Sequence, residues 1–311
     1  MRRADVSGFL MPHADDDFRA GFVALLGLPN AGKSTLLNAL IGERLSIVTR
    51  KAQTTRQRIL GIHSDEGHQA IFIDTPGLLE PTSLFQRSMR QESERAVTEA
   101  EVVVLVADAT NPGALEHADG WVPPRGPDAI LCLNKVRGLA AGRRAVLRAR
   151  FGRARSRTAV FFTDALSGEG VEELRRAILS RLPASPPYYP PDDLATAPVR
   201  FFVAELIRET CLDRLSQEIP YSLAVRVEAF RENESPVYIG ATLFVERASQ
   251  KGIVIGKGGR TIREIGSRAR GKIERLLELR VYLDLRVKVL RNWRQDAAKL
   301  KLLGYSTPEN R

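Results

Sequence analysis

The sequence predicts an α/β domain, with a mostly parallel sheet and helices on both faces, followed by a smaller α+β domain. Over residues 20–182, short apolar runs alternate with stretches of helical periodicity, which is the pattern of such a sheet. A proline-rich linker at 183–198 ends this pattern, and residues 199–305 resume with helices and strands in another order. The remaining segments, 1–19 and 306–311, are predicted to be flexible tails.

Runs of apolar residues predict the strands of the first domain. The first run is Phe22–Leu26, and a helix is predicted after it over Thr35–Leu40. A second, amphipathic helix is predicted over Val171–Leu179. Similar runs predict four more buried strands, at Gln69–Asp74, Glu101–Asp108, Asp128–Asn134 and Ala159–Phe162.

The second domain is predicted to run helix, two strands, helix, loop, helix, strand. Its first helix covers Arg200–Leu215, and a turn at Glu232–Pro236 separates the first two strands. A glycine-rich loop, Gly256–Gly259, separates the two later helices. The three strands are predicted at Tyr221–Phe230, Val237–Arg247 and Val281–Val289.

Positive charge is concentrated in the second domain. The net charge is +10, and residues 247–311 hold 17 Lys and Arg against 6 Asp and Glu. A basic module of this kind is typical of proteins that bind nucleic acid, although a solubilising surface is the commoner reason for basic charge.

Cysteine content and apolar patterning favour a cytoplasmic protein. Cys132 and Cys211 are too few for a disulfide framework and lie among apolar residues, so buried thiols are expected. No apolar run approaches the ~18 residues of a spanning helix, and the first residues lack the apolar core of a signal peptide.

A phosphate-binding loop follows the first predicted strand. Gly27–Ser34 reads G-x-x-x-x-G-K-S between a strand and a helix. Its backbone N–H groups are expected to surround a triphosphate, with Lys33 at the β- and γ-phosphates and the Ser34 hydroxyl on Mg²⁺. Kinases and transporters also use this loop, so the motif alone predicts only a nucleoside triphosphate.

Further motifs narrow the nucleotide to GTP. Asp74–Gly77 follows a buried strand, where the aspartate can hold Mg²⁺ through water and the Gly77 N–H can touch a γ-phosphate. Thr54 and Thr55 precede this segment and offer hydroxyls to the metal, and Asn134–Arg137 follows the next strand but one. In this order, at strand ends, the motifs are typical of a GTP switch domain.

The chain resembles the Era family of bacterial GTPases in these motifs and in the C-terminal block described below. The resemblance implies a P-loop GTPase domain over residues 20–182 that hydrolyses GTP to GDP and phosphate. It implies roles in that reaction for Lys33, Thr55 and Gly77, and Thr55 is our choice of switch threonine ahead of Thr54.

The resemblance also implies two metal ions. Mg²⁺ would be held by Ser34, Thr55 and Asp74, and K⁺ by Asn30, where it would supply charge near the phosphates. Leu78 stands where many GTPases carry a water-orienting glutamine, so slow intrinsic hydrolysis is expected. The implied contacts to GTP or GDP are Asn30, Ala31, Gly32, Lys33, Ser34, Thr35, Asp74, Asn134, Lys135 and Ala165.

The chain departs from the family pattern where guanine is recognised. The family motif is Asn-Lys-x-Asp, whose aspartate accepts hydrogen bonds from guanine, whereas Arg137 is a donor without an acceptor. The later Ser-Ala-Leu motif reads Asp164–Leu166. Both departures fall within residues 111–164, and we interpret the loss of pattern there as local degeneration or an altered reading frame.

The glycine-rich loop lies inside the basic block of the second domain. Glycines let a sugar-phosphate backbone approach closely, and Lys257 adds charge. Ile253–Ile255 and Ile262 are expected to line a groove for about four nucleotides. The order of elements resembles a type II KH domain, and the Era resemblance is close here.

The Era resemblance implies that this domain binds single-stranded RNA, at the 3′ end of small-subunit ribosomal RNA. For the outer arginines a solvated helix face is an equal alternative, and Trp293 is expected to cap the core rather than to stack on a base. The implied RNA contacts are Gly256, Lys257, Gly258, Gly259, Arg260, Arg263 and Arg268.

Together these features predict a GTP-hydrolysing switch that binds ribosomal RNA and assists assembly of the small ribosomal subunit. The alternative is an RNA-binding assembly factor with a degenerate or non-guanine-selective nucleotide site. A P-loop kinase is a third interpretation, and it leaves the G-x-x-G module unexplained. The implied state is a monomer, with a peripheral contact at the inner face of the cell membrane.

Overall fold

The computed structural model describes residues 17–49, 51, 53–111, 128–154 and 159–307, with only the backbone at 152–154. The expectations for most of the two tails, and for residues 112–127 and 155–158 of the segment 111–164, lie outside the described residues. Neither interpretation of the lost pattern at 111–164 is tested by the fold.

A six-stranded sheet forms the centre of the first domain. Its strands are β1 (Arg19–Leu26), β2 (Ile59–Ser64), β3 (His68–Asp74), β4 (Val102–Asp108), β5 (Asp128–Asn134) and β6 (Ala159–Phe162). The order is β2-β3-β1-β4-β5-β6, and among these strands each neighbouring pair is parallel except β2 and β3. The predicted architecture is confirmed, although β2 has no counterpart among the predicted strands. Because β1, β3, β4 and β5 are parallel, their carboxyl ends share one edge of the sheet.

Helices cover both faces of this sheet, as predicted. They are α1 (Lys33–Ile41), α2 (Leu84–Glu99), α3 (Ala141–Ala154) and α4 (Val171–Leu179). Residues of α1 and α4 pack on one face, and residues of α2 and α3 pack on the other. Residues 138–158 hold seven arginines and no acidic residue, and they include α3. This helix packs Leu147 and Phe151 against the sheet, and two such residues do not give a clear helical periodicity in the sequence.

The proline-rich linker packs along the edge of the sheet. The Ile62 N–H of β2 donates to the Leu194 carbonyl at 2.8 Å. The Gln69 side chain accepts from the N–H groups of Tyr188 and Tyr189 at 2.7 and 3.0 Å. Because an exposed edge strand presents unpaired backbone groups, the linker covers a surface that would otherwise recruit other strands.

The second domain contains a three-stranded sheet with helices packed against it. Its elements are α5 (Val199–Arg214), α6 (Ile219–Ser222), β7 (Ala224–Arg231), β8 (Val237–Val245), α7 (Ala248–Ile255), α8 (Arg260–Leu277), β9 (Val281–Val289) and α9 (Ala297–Leu302). In the order β7-β8-β9, β7 runs antiparallel and β9 parallel to β8. This confirms the predicted α+β domain. Of the helices described in either domain, none is both long and apolar enough to cross a membrane.

One predicted strand of this domain begins later than expected. Residues 221 and 222 belong to α6, which carries Pro220 near its start. Proline suits the first turn of a helix because its φ is preset and its missing N–H is not needed there. The strand therefore starts at Ala224 rather than Tyr221.

An aromatic cluster joins the two domains. The ring of Phe85 on α2 lies 5.0 Å from Trp293 and 4.7 Å from Tyr305, centroid to centroid. Trp293 is fully buried, and its Nε1–H donates to the Ser222 carbonyl at 2.9 Å. The structural role expected for Trp293 is confirmed.

Trp293→Ala is expected to lower the free energy of unfolding by about 3–5 kcal/mol, because it removes a buried indole and leaves a carbonyl unpaired. Urea denaturation followed by circular dichroism measures this. Leu302→Ala, whose side chain is 48% exposed, is the control and should change stability by less than about 0.5 kcal/mol. Equal effects of the two substitutions would contradict the packing role.

Candidate functional site

The phosphate-binding loop lies where β1 meets α1. Gly32 has a φ of 95°, which favours glycine, and a Cβ there would lie 2.3 Å from Asn134 Nδ2. The Leu78 N–H donates to the Gly27 carbonyl at 3.0 Å and ties the segment after β3 to the loop. The loop borders a cleft, which we call the nucleotide cleft. Its lining includes Asn30, Gly32, Lys33, Ser34, Thr35, Thr54, Thr55 and Gly77. Ala31 is buried beneath the cleft.

Lys33 is a buried cation with few partners. Its Nζ donates to the carbonyls of Gly27 and Leu28 at 3.1 and 3.3 Å. Burial lowers the pKa of Lys33 to about 8, against the opposing effect of Asp74. A buried ammonium held by two carbonyls is short of negative charge, which phosphate oxygens would supply.

Side-chain oxygens from three segments converge on Asp74 at the end of β3. The Ser34 hydroxyl donates to Asp74 Oδ2 at 2.7 Å, and the Thr55 hydroxyl donates to the same atom at 3.1 Å. The Ser34 and Thr55 oxygens lie 2.8 Å apart. Ser46, which the sequence analysis missed, donates to Asp74 Oδ2 at 3.1 Å. The predicted magnesium ligands are thus brought together.

The two neighbouring threonines have different surroundings. The Thr54 hydroxyl donates to the Lys51 carbonyl at 2.8 Å and lies 2.9 Å from the Thr49 hydroxyl. Thr55 alone of the pair contacts Ser34 and Asp74, which favours it as the switch threonine.

The arrangement around Asp74 fits Mg²⁺. Asp74 is fully buried, and its Oδ1 has no hydrogen-bond partner in the described part of the chain. Burial raises the pKa of Asp74, and Lys33 and the three hydroxyls offset this only in part. An unpaired buried carboxylate oxygen is costly, and a cation or its bound water would satisfy it. Hydroxyl and carboxylate oxygens together with phosphates are the ligands that Mg²⁺ prefers.

Asn134 and Lys135 join the ends of β5 and β4 to the loop. Asn134 Nδ2 donates to the Ala31 carbonyl at 3.1 Å, and its Oδ1 accepts from the Ala165 N–H at 3.1 Å. Lys135 Nζ donates to Asp108 Oδ2 at 2.8 Å. The predicted nucleotide contacts at this end therefore meet the phosphate-binding loop.

Arg137 and Asp164 lie together beside this end of the cleft. The Arg137 side chain is exposed, while its backbone N–H donates to the Asp164 carboxylate. The Asp164 Oδ1 also accepts from the Ser167 N–H at 2.9 Å. Burial by itself would raise the pKa of Asp164, but the hydrogen bonds from Ser167 and Arg137 lower it overall. This carboxylate is already engaged by backbone donors.

The loop Gly256–Gly259 forms the turn between α7 and α8, as predicted, and Lys257 is exposed on it. The Arg263 Nη2 donates to a loop carbonyl at 2.7 Å and braces the turn. Arg260 is exposed at the start of α8, and Arg268, further along, forms an ion pair of 2.8 Å with a neighbouring glutamate. The seven predicted RNA contacts thus follow the loop and one helix.

A groove runs beside this loop between α8 and β9. Ile262 lines the groove as predicted. The prediction that Val254 lines it is wrong, because Val254 is fully buried in the domain core. Ile253 is exposed but does not belong to the groove lining. The sequence analysis missed Arg270 and Tyr282, because their meeting depends on how β9 lies against α8.

The second domain also contacts the segment that carries Thr54 and Thr55, and the sequence analysis missed these contacts entirely. Arg56 Nη1 donates to the Leu223 carbonyl at 2.5 Å, and Arg208 Nη2 donates to the Thr54 carbonyl at 2.5 Å. No sequence signal marks these contacts, since the acceptors are backbone carbonyls far away in the chain.

Comparison with known families gives two matches. Residues 22–135 match the model described as 50S ribosome-binding GTPase, and residues 218–294 match the model described as KH domain. GTPase Era from Geobacter metallireducens is 40% identical over 302 residues, which cover 94% of this chain and all of that one. GTPase Era from Carboxydothermus hydrogenoformans is 40% identical over 299 residues, covering 93% and 98%.

The chain belongs to the Era family of GTPases.

Two solved Era structures share the whole architecture. A crystal structure of Era with MgGDPNP and nucleotides 1506–1542 of 16S ribosomal RNA matches with a TM-score of 0.89 at 34% identity, covering 93% of this chain and 99% of that one. A variant of Aquifex aeolicus Era bound to GDP and AlF4⁻ matches with a TM-score of 0.87 at 34% identity, covering 93% and 100%. The family resemblance is confirmed, while the roles of individual residues stay predictions.

Asp74→Asn is expected to weaken nucleotide binding in Mg²⁺ by about 10–100-fold, because it removes the charge that orients the Ser34 and Thr55 hydroxyls. Titration of a fluorescent GTP analogue in Mg²⁺ and in EDTA measures this. In EDTA the variant should bind no more weakly than the unaltered protein.

Asp65→Asn, the same substitution at an exposed carboxylate, is the control and should change neither affinity. A loss of equal size in Mg²⁺ and in EDTA would contradict the metal-supporting role of Asp74.

Proposed function

We propose that this Era-family chain is a GTP-dependent switch that hydrolyses GTP and binds the 3′ end of 16S ribosomal RNA. The observation that carries the proposal is the convergence of Lys33, Ser34 and Thr55 in one cleft. The buried Asp74 carboxylate lies behind them and accepts from the Ser34 and Thr55 hydroxyls. A related Era, crystallised in complex with MgGDPNP and nucleotides 1506–1542 of 16S ribosomal RNA, supports both halves of the proposal.

In the proposed reaction, water attacks the γ-phosphorus and the bond to the bridging oxygen breaks, which releases phosphate and GDP. Lys33 binds the β- and γ-phosphate oxygens in place of its two carbonyl partners, and the Gly77 N–H donates to the γ-phosphate. The Ser34 and Thr55 hydroxyls hold Mg²⁺, with Asp74 behind them. When bound, Mg²⁺ neutralises negative charge on the phosphates.

A second cation is proposed at Asn30, which lies exposed in the lining of the cleft. K⁺ held there would add positive charge beside the phosphates, the role that an arginine has in other GTPases. Leu78 is buried and apolar, so it provides no hydrogen bond to the attacking water. We therefore expect slow hydrolysis unless a binding partner completes the site.

The RNA backbone is proposed to lie on the loop Gly256–Gly259, with bases in the groove between α8 and β9. Lys257 and Arg260 are exposed and are assigned to phosphates. Arg263 lines the groove and also donates a hydrogen bond to the Gly258 carbonyl of the loop. We assign it both an RNA contact and this structural role. Arg268 is already paired with a glutamate and is the weaker candidate.

We also propose the domain bounds, the partner, the oligomeric state and the location that the family resemblance implies. The GTPase domain would span 20–182 and the KH domain 199–305, joined by the linker 183–198. The partner would be the small ribosomal subunit, approached by a cytoplasmic monomer that also touches the inner face of the membrane. The basic charge of residues 247–311 supports attraction to polyanions.

A second candidate function, which the Era relatives do not favour, is an RNA-binding assembly factor whose nucleotide site does not select guanine. It rests on Arg137. Its guanidinium is exposed where the family pattern has a carboxylate, and the Asp164 carboxylate is engaged by backbone donors. Guanine N–H groups would then lack an acceptor.

Arg137→Asp is expected to tighten GTP binding by at least about 10-fold and to leave ATP binding unchanged, because it supplies a charged acceptor for guanine. Calorimetric titration of GTP, XTP and ATP in buffer with Mg²⁺ and K⁺ measures this. Arg143→Asp on α3 is the control, since it makes the same charge change on an exposed helix surface. If the unaltered protein binds GTP no better than ATP, the second candidate is favoured.

The double substitution Lys257→Asp and Gly258→Asp is expected to weaken binding of 16S 3′-end RNA by at least about 10-fold, because it puts negative charge against the RNA backbone. Fluorescence anisotropy at fixed salt measures this. Lys301→Asp on α9 is the control for loss of one exposed basic residue. Unchanged RNA binding by the double variant would refute the assigned groove.

A further inference from the structure

We propose that Arg208, on the first helix of the second domain, is a positioning residue for the nucleotide reaction. It holds the Thr54 carbonyl and thereby sets the Thr55 hydroxyl at the magnesium site. The KH domain would then be part of the GTPase machinery in addition to its RNA groove. This inference rests on the proposed GTPase function.

Arg208 is built into a rigid position. Its side chain is only 2% exposed, although it is charged. Its Nε donates to Glu205 Oε1 at 2.8 Å, and its Nη2 forms a second, short bond to the same carboxylate. A guanidinium held at two points by a carboxylate has a fixed orientation. The same Nη2 donates across the domain boundary to the Thr54 carbonyl at 2.5 Å.

That carbonyl is one peptide bond from the magnesium site. Adjacent Cα atoms are about 3.8 Å apart across a planar peptide, so a shift of the Thr54 carbonyl is passed on to Thr55. The Thr55 hydroxyl bonds to Asp74 Oδ2 at 3.1 Å and lies 2.8 Å from Ser34. A shift of about 1 Å away from these partners would lengthen both contacts beyond hydrogen-bonding distance.

The residue on the other side of Thr55 is anchored to the same domain. Arg56 is 4% exposed, and it donates to the Leu223 carbonyl at 2.5 Å and to the Pro220 carbonyl at 2.8 Å. Its guanidinium also lies 5.6 Å from the centre of the Phe85 ring on α2. Thr55 is therefore flanked on both sides by residues that hydrogen-bond to the second domain.

The backbone just before Thr55 has an unfavourable conformation that contacts with other residues must stabilise. Gln53 has a φ of 58°, a left-handed conformation that costs a residue with a side chain about 1 kcal/mol or more. Such conformations persist where the surroundings hold them in place. The Arg208 contact to Thr54, the next residue, provides one such restraint.

The test compares Arg208→Gln with the unaltered full chain, by GTP hydrolysis and GTP-analogue binding over a Mg²⁺ titration. The variant should lower kcat by about 10-fold and raise the Mg²⁺ concentration at half-maximal activity, as loss of a residue that orients a ligand does. GDP affinity in EDTA should stay unchanged, because the contacts of the phosphate-binding loop remain. Arg214→Gln removes a 42% exposed arginine from the same helix and should behave as the unaltered protein.

A mutant cycle with Thr55→Ala separates positioning from general destabilisation. If Arg208 acts through Thr55, Arg208→Gln should have little further effect on Mg²⁺ dependence once Thr55→Ala is present. Effects that multiply would overturn the proposal, and so would equal losses in Mg²⁺ and in EDTA. If the unaltered chain hydrolyses no GTP, the proposed function fails. The Mg²⁺ dependence of analogue binding would still decide the role of Arg208.

Discussion

A buried carboxylate with one unsatisfied oxygen organises the nucleotide site. Asp74 collects hydroxyl donors from Ser34, Ser46 and Thr55, which belong to three separate segments. Its second oxygen has no partner in the described part of the chain, and the nearby ammonium of Lys33 is held only by carbonyls. Both charges are desolvated, so a bound metal and triphosphate would stabilise the site more than any ligand lacking those charges.

This constraint extends from the sheet edge into the second domain. Thr55 is held to Asp74 on one side of the chain, while its neighbours Thr54 and Arg56 are held by the second domain. A nucleotide that changes the position of Thr55 must therefore strain or release interdomain hydrogen bonds. We infer that the segment carrying Thr54, Thr55 and Arg56 is the physical route between the nucleotide and the RNA-binding domain.

The sequence predicted those elements that carry a sustained apolar run or a clear periodicity, and it did not predict β2 or α3. The prediction failed where a short-range feature overrides that periodicity, as at Tyr221, where Pro220 starts a helical turn. It also failed for Val254, because an apolar helix residue can face either a groove or a core. The nucleotide motifs were predictable since they sit at strand ends in a parallel sheet. The roles of Arg56 and Arg208 were not, because their partners are backbone carbonyls of another domain.

We infer that nucleotide state and RNA binding are coupled through the segment that carries Thr54, Thr55 and Arg56. The most direct measurement is the affinity of the full chain for 16S 3′-end RNA with GDP and with a non-hydrolysable GTP analogue, both with Mg²⁺. Because a related Era holds MgGDPNP and 16S ribosomal RNA together, we expect tighter binding with the analogue, by about 5–150-fold. RNA should tighten analogue binding relative to GDP binding by the same factor. Equal RNA affinity in the two nucleotide states would contradict the account.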